Sequence, residues 1–226
     1  MPFTGYFDFL KQRRHDSKEE RPKADDETDA TILVSDLRLP VSSKVLTSES
    51  LRFRQWFQSN PGETEVQLQY VNIHCVWRTL QLMCRGEYTT DPCPKTQLPD
   101  EDGQLTQHAS VYQLAEYWGL PGYLQNLAFE NYKNIVQRGQ WKTEDFLTSV
   151  NTILHPILPG DLSDVHEKEN LKESRMVIFM LHHLHRYRGR FEDSLLVFCL
   201  QSSPVFLELF LNTWSKYPGK RKRSVQ

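Results

Sequence analysis

The rhythm of apolar and polar positions changes several times along this 226-residue chain. In "DATILVSDLRLPV" two short β-type runs flank Ser35–Asp36, which predicts a hairpin. "SSKVLTSESLRFRQWF" then shifts to helical spacing. Val45 and Leu46, and later Phe53, Trp56 and Phe57, recur three or four apart, as on one helix or two short ones. "NPGE" at 60–63 is a stop signal. "EVQLQYVN" alternates, with Val66, Leu68 and Tyr70 facing one way and Gln67 and Gln69 the other, a strand with one wet face. "IHCVWRTLQLMCRGEY" predicts a helix with Ile73, Val76, Trp77, Leu80 and Met83 as its buried stripe and Gly86 at its end. Residues 89–104 are rich in Pro, Asp and Thr and predict a loop.

"LTQHASVYQLAEYWGLPGYLQNLAFENYKNIV" predicts two helices, the first ended by Gly119 and the second begun near Pro121. From residue 141 the pattern is helical, broken at 155–165. Two closing helices are expected, one lined by Phe191, Leu195, Leu196 and Phe198, the other by Val205, Phe206, Leu209 and Phe210. Such an apolar pair is expected to extend the core rather than form a partner groove. A few short strands among many helices define an α+β fold.

The two ends depart from this pattern. Phe3, Tyr6, Phe7, Phe9 and Leu10 form a short amphipathic opening that wants a partner surface. Residues 11–29 are almost wholly polar and read as a charged linker. The chain closes on "KRKR", Lys220, Arg221, Lys222 and Arg223, a candidate nuclear import signal or simply a charged tail. The expected divisions are therefore an N-terminal segment and linker over 1–27, a domain over 28–138, a helical extension over 139–219 and a basic tail over 220–226.

Composition narrows the function classes. A hydrophobic fraction of 38% suffices for a core, and a net charge of −2 supplies no global field to draw in nucleic acid or an acidic membrane. The four cysteines, Cys75, Cys84, Cys93 and Cys199, form no C-x-x-C pair, so free thiols in a reducing compartment are expected. The N-terminus lacks the pattern of a secretory signal, and the apolar run "MVIFML" is far too short to span a bilayer. An intracellular protein, cytoplasmic, nuclear or both, is the expectation.

Catalytic chemistry finds little footing. The hydroxyls of Ser42, Ser43, Thr47, Ser48 and Ser50 have no G-x-S-x-G elbow and no Ser-x-x-Lys, so they read as turn and capping groups. Phosphorylation at Ser48 or Ser50 is the competing reading. The run "HHLHRYR" places His182 and His185 on one helical face and His183 off it, without the further ligands zinc needs. It reads as a basic, solvated face. Carboxylates cluster in the linker and at Asp100–Asp102, where solvation explains them. The ten glycines are scattered singly, so no loop cradles a phosphate. No catalytic residue, metal or cofactor is expected.

An ordered series of segments resembles the BTB/POZ family, of the kind abundant in filamentous fungi. "TDATILVSDLRLPVSSKVLTSESLRF" is similar to the family's opening hairpin and first helix, with Val41, Val45, Leu46, Ser50 and Phe53 matching. "TLQLMCRGEYTTD" matches at Leu82, Gly86, Glu87 and Tyr88. "HASVYQLAEYWGLPGYLQNLAFENY" is the most specific, with His108, Ala109, Val111, Tyr112, Leu114, Ala115, Tyr117, Pro121 and Gly122 in place. The resemblance spans roughly 28–138. It implies a small mixed sheet with helical hairpins, followed here by a helical extension, and no enzymatic activity. It also implies a protein–protein interaction module, pairing with itself or with other BTB proteins.

Two departures bear on its partners. The family's His-Lys/Arg pair falls on Ser42 and Ser43, while Asp29 matches the acid that faces it across a charged pocket. The hydrophobic-x-Glu motif of members that recruit a cullin-type ubiquitin ligase reads Pro61-Gly62-Glu63 here, which weakens the adaptor alternative. A transcription-linked nuclear protein is the remaining alternative. The residues expected at a protein interface are Phe7, Leu10, Asp29, Ser42, Ser43, Phe53, Trp56 and Glu63.

Overall fold

Strand β1 (Ala30–Val34) is the middle of a three-stranded sheet in the order β2-β1-β3. The computed structural model describes residues 28–69, 71–154, 174–191, 196–197, 200–201 and 203–214. β1 pairs antiparallel with β2 (Leu37–Val41), and Ser35 at φ 53° makes the tight turn between them. It pairs in parallel with β3 (Glu65–Leu68), in the register Thr31↔Glu65 to Val34↔Leu68. Alternation sends Ala30, Ile32, Val34, Leu39, Val41 and Val66 into the core.

The parallel pairing requires a crossover, and two short helices supply it: α1 (Ser43–Glu49) and α2 (Leu51–Ser59). One continuous helix is ruled out at Ser50, whose extended backbone (φ −130°, ψ 122°) ends α1. Its hydroxyl then accepts from the Phe53 amide at 3.1 Å and starts α2. Helix α3 (Ile73–Arg85) is capped by the Asn72 side chain, which accepts from His74 N at 2.8 Å, and stops at left-handed Gly86.

Helix α4 (Gln104–Tyr117) is buried on most of its circumference and packs against α3, α5 and α6. Ala109 and Ala115 are fully buried, which lets neighbouring helices approach closely. Helix α5 (Gly122–Arg138) follows the "GLPG" junction, with Pro121 at its cap. Helix α6 (Thr143–Leu154) lies directly on α4 and α5: Gln113 Nε2 donates to Thr152 O at 2.8 Å, and buried Tyr132 and Ser149 share a hydrogen bond of 2.8 Å. Helices α7 (Arg175–Tyr187) and α8 (Pro204–Trp214) complete the helical extension. The architecture is thus α+β, a small mixed sheet with helical hairpins followed by further helices. Among the described residues no helix is long and apolar enough to cross a membrane.

Three expectations need correction. The histidine run of α7 is solvated only in part: His182 is exposed, but His183 and His185 are not. His183 is 4% exposed, with Nδ1 at 2.9 Å from Phe179 O and its ring against Phe179; burial, foremost, lowers its pKa. His185 stacks on Phe210 at 4.4 Å and bonds Thr213 Oγ1 at 2.7 Å, so it joins α7 to α8. Second, Trp77 is half-buried, and the α3 stripe widens to include His74, Arg78 and Thr79. Third, the 89–104 segment is the expected loop, without helix or strand before Gln104 and mostly exposed, but solvation does not explain Asp100. Cys93 is 1% exposed and the Asp100 side chain 5%. The reason is Arg78.

Candidate protein-interaction surface

Arg78 projects from α3 with a side chain 1% exposed, and it pairs with Asp100 through Nη2. The same nitrogen donates to Thr90 O at 2.7 Å. Gln107 of α4 adds a bond from Nε2 to Asp100 Oδ2 at 3.1 Å. His74 Nδ1 accepts from the Cys93 amide at 2.9 Å, which ties the loop to α3. A cation in the interior is tolerable only when paired and hydrogen-bonded, and the 89–103 segment folds over α3 to supply both. Asp102, beside this cluster, has its pKa raised, chiefly by burial and then by Asp100.

The start of α4 is anchored in the same region. Asp145 of α6 accepts from Leu105 N and Thr106 N, both at 3.0 Å, and from Thr106 Oγ1 at 2.8 Å. A carboxylate here meets both unsatisfied amides and the positive end of the helix dipole. Gly103 makes this approach possible, because a Cβ at that position would lie 2.2 Å from Asp145 Cγ. His108, one turn further on, bonds Tyr88 at 2.6 Å, and burial, foremost, pushes its pKa down to about 4. Four buried polar atoms of the Arg78 cluster, His74 Nε2, Arg78 Nε, Asp100 Oδ1 and Gln107 Oε1, have no hydrogen-bond partner among the described residues. Among the described residues no group of three or more His, Cys, Asp or Glu is placed to hold a metal. Cys75 is a buried thiol with its pKa pushed up to about 12 by burial, and Cys199 lies outside the described residues.

The open surface lies at the other end of α4. Ser50 Oγ donates to Trp118 O at 2.7 Å, and Leu51 N and Arg52 N bond Gly119 O and Trp118 O at 3.4 and 3.3 Å. The first turn of α2 is thereby docked on the end of α4. Gly119 (φ 63°) lets the backbones meet, since a Cβ there would sit 3.1 Å from Leu51 Cβ. Phe53 packs edge-on against Trp118 with centroids 4.9 Å apart. On the solvent side Arg52 lies 3.8 Å over the Tyr117 ring, and Trp56 packs edge-on against Phe57 at 4.9 Å. Between these side chains and β3 runs an open groove of about 310 Å³, bordered by Val66, Gln67, Leu68, Gln69 and Val71.

The expected interface residues therefore separate. Trp56 is half-buried and lines the groove. Phe53 is 3% exposed, so its ring offers a partner almost nothing and holds α2 instead. Asp29 accepts from Ser43 N and Ser43 Oγ, both at 2.6 Å. These bonds hold its carboxyl below the usual range. Asp29 thus caps α1 from the position just before β1, and Ser42, at the cap position itself, makes no side-chain cap bond. Glu63 is exposed in the turn after α2, its amide bonded to Asn60 O at 3.2 Å. Phe7, Leu10 and Lys220, Arg221, Lys222 and Arg223 lie outside the described residues. Sequence reasoning missed Arg52 and Tyr117 as neighbours, because the pairing joins residues from two helices far apart in the chain.

No family model matches the chain, and no curated protein matches it. Among solved structures it is similar to the BTB (Tramtrack and Bric a brac) domain of human gigaxonin. The overlap covers 46% of this chain and 75% of that one, at 20% identity and a TM-score of 0.35.

Proposed function

We propose that the chain is a non-catalytic protein–protein interaction module of the BTB/POZ kind, acting by self-association or by binding other proteins. The observation that carries the reading is the open groove walled by Arg52, Trp56 and Tyr117 beside β3. Tyr, Trp and Arg are the residue types that dominate binding energy at protein interfaces. The ordered motif matches over 28–138 support it, with the helices after Arg138 as an extension. Two groups of catalytic type are engaged within the fold, His108 by Tyr88 and Ser149 by Tyr132. Light scattering on the purified chain across a concentration series tests self-association. A dimer mass is expected, and a strict monomer at the highest concentration leaves only partner binding.

The adaptor of a cullin-type ubiquitin ligase is a second reading, favoured by the exposure of Glu63 and weakened by Pro61. A pull-down with a cullin decides it; binding that survives Glu63→Ala removes the mapped contact. Nuclear placement through Lys220–Arg223 is tested by comparing the tagged chain with a tail truncation.

A further inference from the structure

We infer that the free edge of β3 is a docking rail for an extended segment of a partner protein, one carrying a carboxylate beside a large apolar side chain. The inference rests on the interaction-module reading and names its surface.

The edge follows from the ladder. Thr31 N donates to Thr64 O at 2.8 Å, and the parallel register sets Ile32 beside Val66. In a parallel pair alternate residues turn their backbone groups to the neighbouring strand. Val66 therefore faces β1, while Glu65 and Gln67 turn N–H and C=O outward. Among the described residues these outward groups have no backbone partner. The opposite edge of the sheet is blunted by Pro40, which has no N–H to offer, and by exposed Arg38. β3 carries neither proline nor lysine, and its one charge, Glu65, is paired with Arg38.

The groove beside the edge defines the side chains. Of the ten residues bordering it, Arg52 alone is charged. Its guanidinium stacks on Tyr117 and has no carboxylate partner among the described residues. A strand added to β3 meets the backbone rail first. Alternate side chains then reach the Trp56 and Tyr117 wall and the Arg52 cation. A second copy pairing edge to edge brings Glu65 already engaged by its own Arg38, so Arg52 is left unmet.

The test selects binders to the full chain from a phage-displayed library of random dodecapeptides and remeasures them, as synthetic peptides, on two variants. Gln67→Pro removes an outward N–H and no bond of the fold, so its circular dichroism should match the parent. Selected peptides should carry a large apolar residue and an Asp or Glu two positions apart, on one face of the strand. They should bind Gln67→Pro at least about tenfold more weakly. Arg52→Glu should weaken acidic peptides and favour versions with Lys in place of the acid. Equal binding to the parent and Gln67→Pro overturns the inference, as does a library that yields no peptide. A parent dimer that Gln67→Pro converts to monomer also overturns it, because a second copy then holds the edge. If the dimer persists in Gln67→Pro while no peptide binds, the edge inference fails and the module reading stands.

Discussion

Two arginines sit in opposite worlds here. Arg78 is sealed inside, its charge met by Asp100 and by the carbonyl of Thr90. Arg52 lies at the surface over the face of Tyr117. An interior guanidinium organises chain around itself, because leaving it unpaired would cost several kcal/mol. A surface guanidinium on an aromatic ring demands nothing of the fold, so its charge stays available. One arginine closes the 89–103 segment over α3, and the other leaves the groove beside β3 ready for a partner.

The contrast is broken most severely at Arg78. Arg78→Met leaves Asp100 buried without its partner and should lower stability by about 3–5 kcal/mol in urea unfolding. Adding Asp100→Leu should restore much of that. A double variant no better than the single one would show that the pair does not organise the loop.

Acid should act on the sealed side next. His108 is held neutral, with a pKa of about 4 in the fold against 6.5 outside it. The unfolded chain therefore binds the extra proton between those values. Its contribution is complete above pH 6.5 and is lost as pH falls toward 4, by up to roughly 3 kcal/mol. His183, also lowered, acts in the same direction. Asp102, with a raised pKa, opposes it by favouring the protonated form. His108→Gln should flatten the urea midpoint between pH 4 and 6.5, and an unchanged pH slope would remove His108 as the cause.

The element order was legible in the sequence because periodicity reports which face of a strand or helix is dry. The hairpin, α3 and the helix pair at "GLPG" follow from that alone. The roles of Asp100, His183 and Asp29 were not legible. A polar residue in a loop has the same local pattern whether water or a buried arginine is its partner. Asp29 meets Ser43 across 14 residues, and only the closed sheet brings them together. For the groove, Trp56 was marked as an interface residue, but Arg52 and Tyr117 come from separate helices with nothing local to link them.

Smaller effects sharpen the comparison. Gly103→Ala drives a Cβ into Asp145 and should cost about 1–2 kcal/mol, the scale of a lost helix cap. Differential scanning calorimetry checks it, with Asp145→Asn as the reference; a Gly103→Ala transition at the parent temperature removes the close-approach argument. Arg52→Ala should change stability by less than about 0.5 kcal/mol, since its described contact is a single exposed stacking interaction. A loss several times larger would move Arg52 from the recognition side to the structural side.

The docking of Ser50 onto Trp118 also has a kinetic consequence. It joins residues 68 positions apart, while Asp145 reaches back 40 positions to Leu105. Both ends of α4 thus wait on long loop closures before they lock, a signature of slow, late consolidation during folding. Once locked, α4 is held at its two ends by α2 and α6 and along its length by α3 and α5. Its amides should be among the slowest in the molecule to exchange with deuterium, outlasting the Gly62 amide of the surface turn by orders of magnitude.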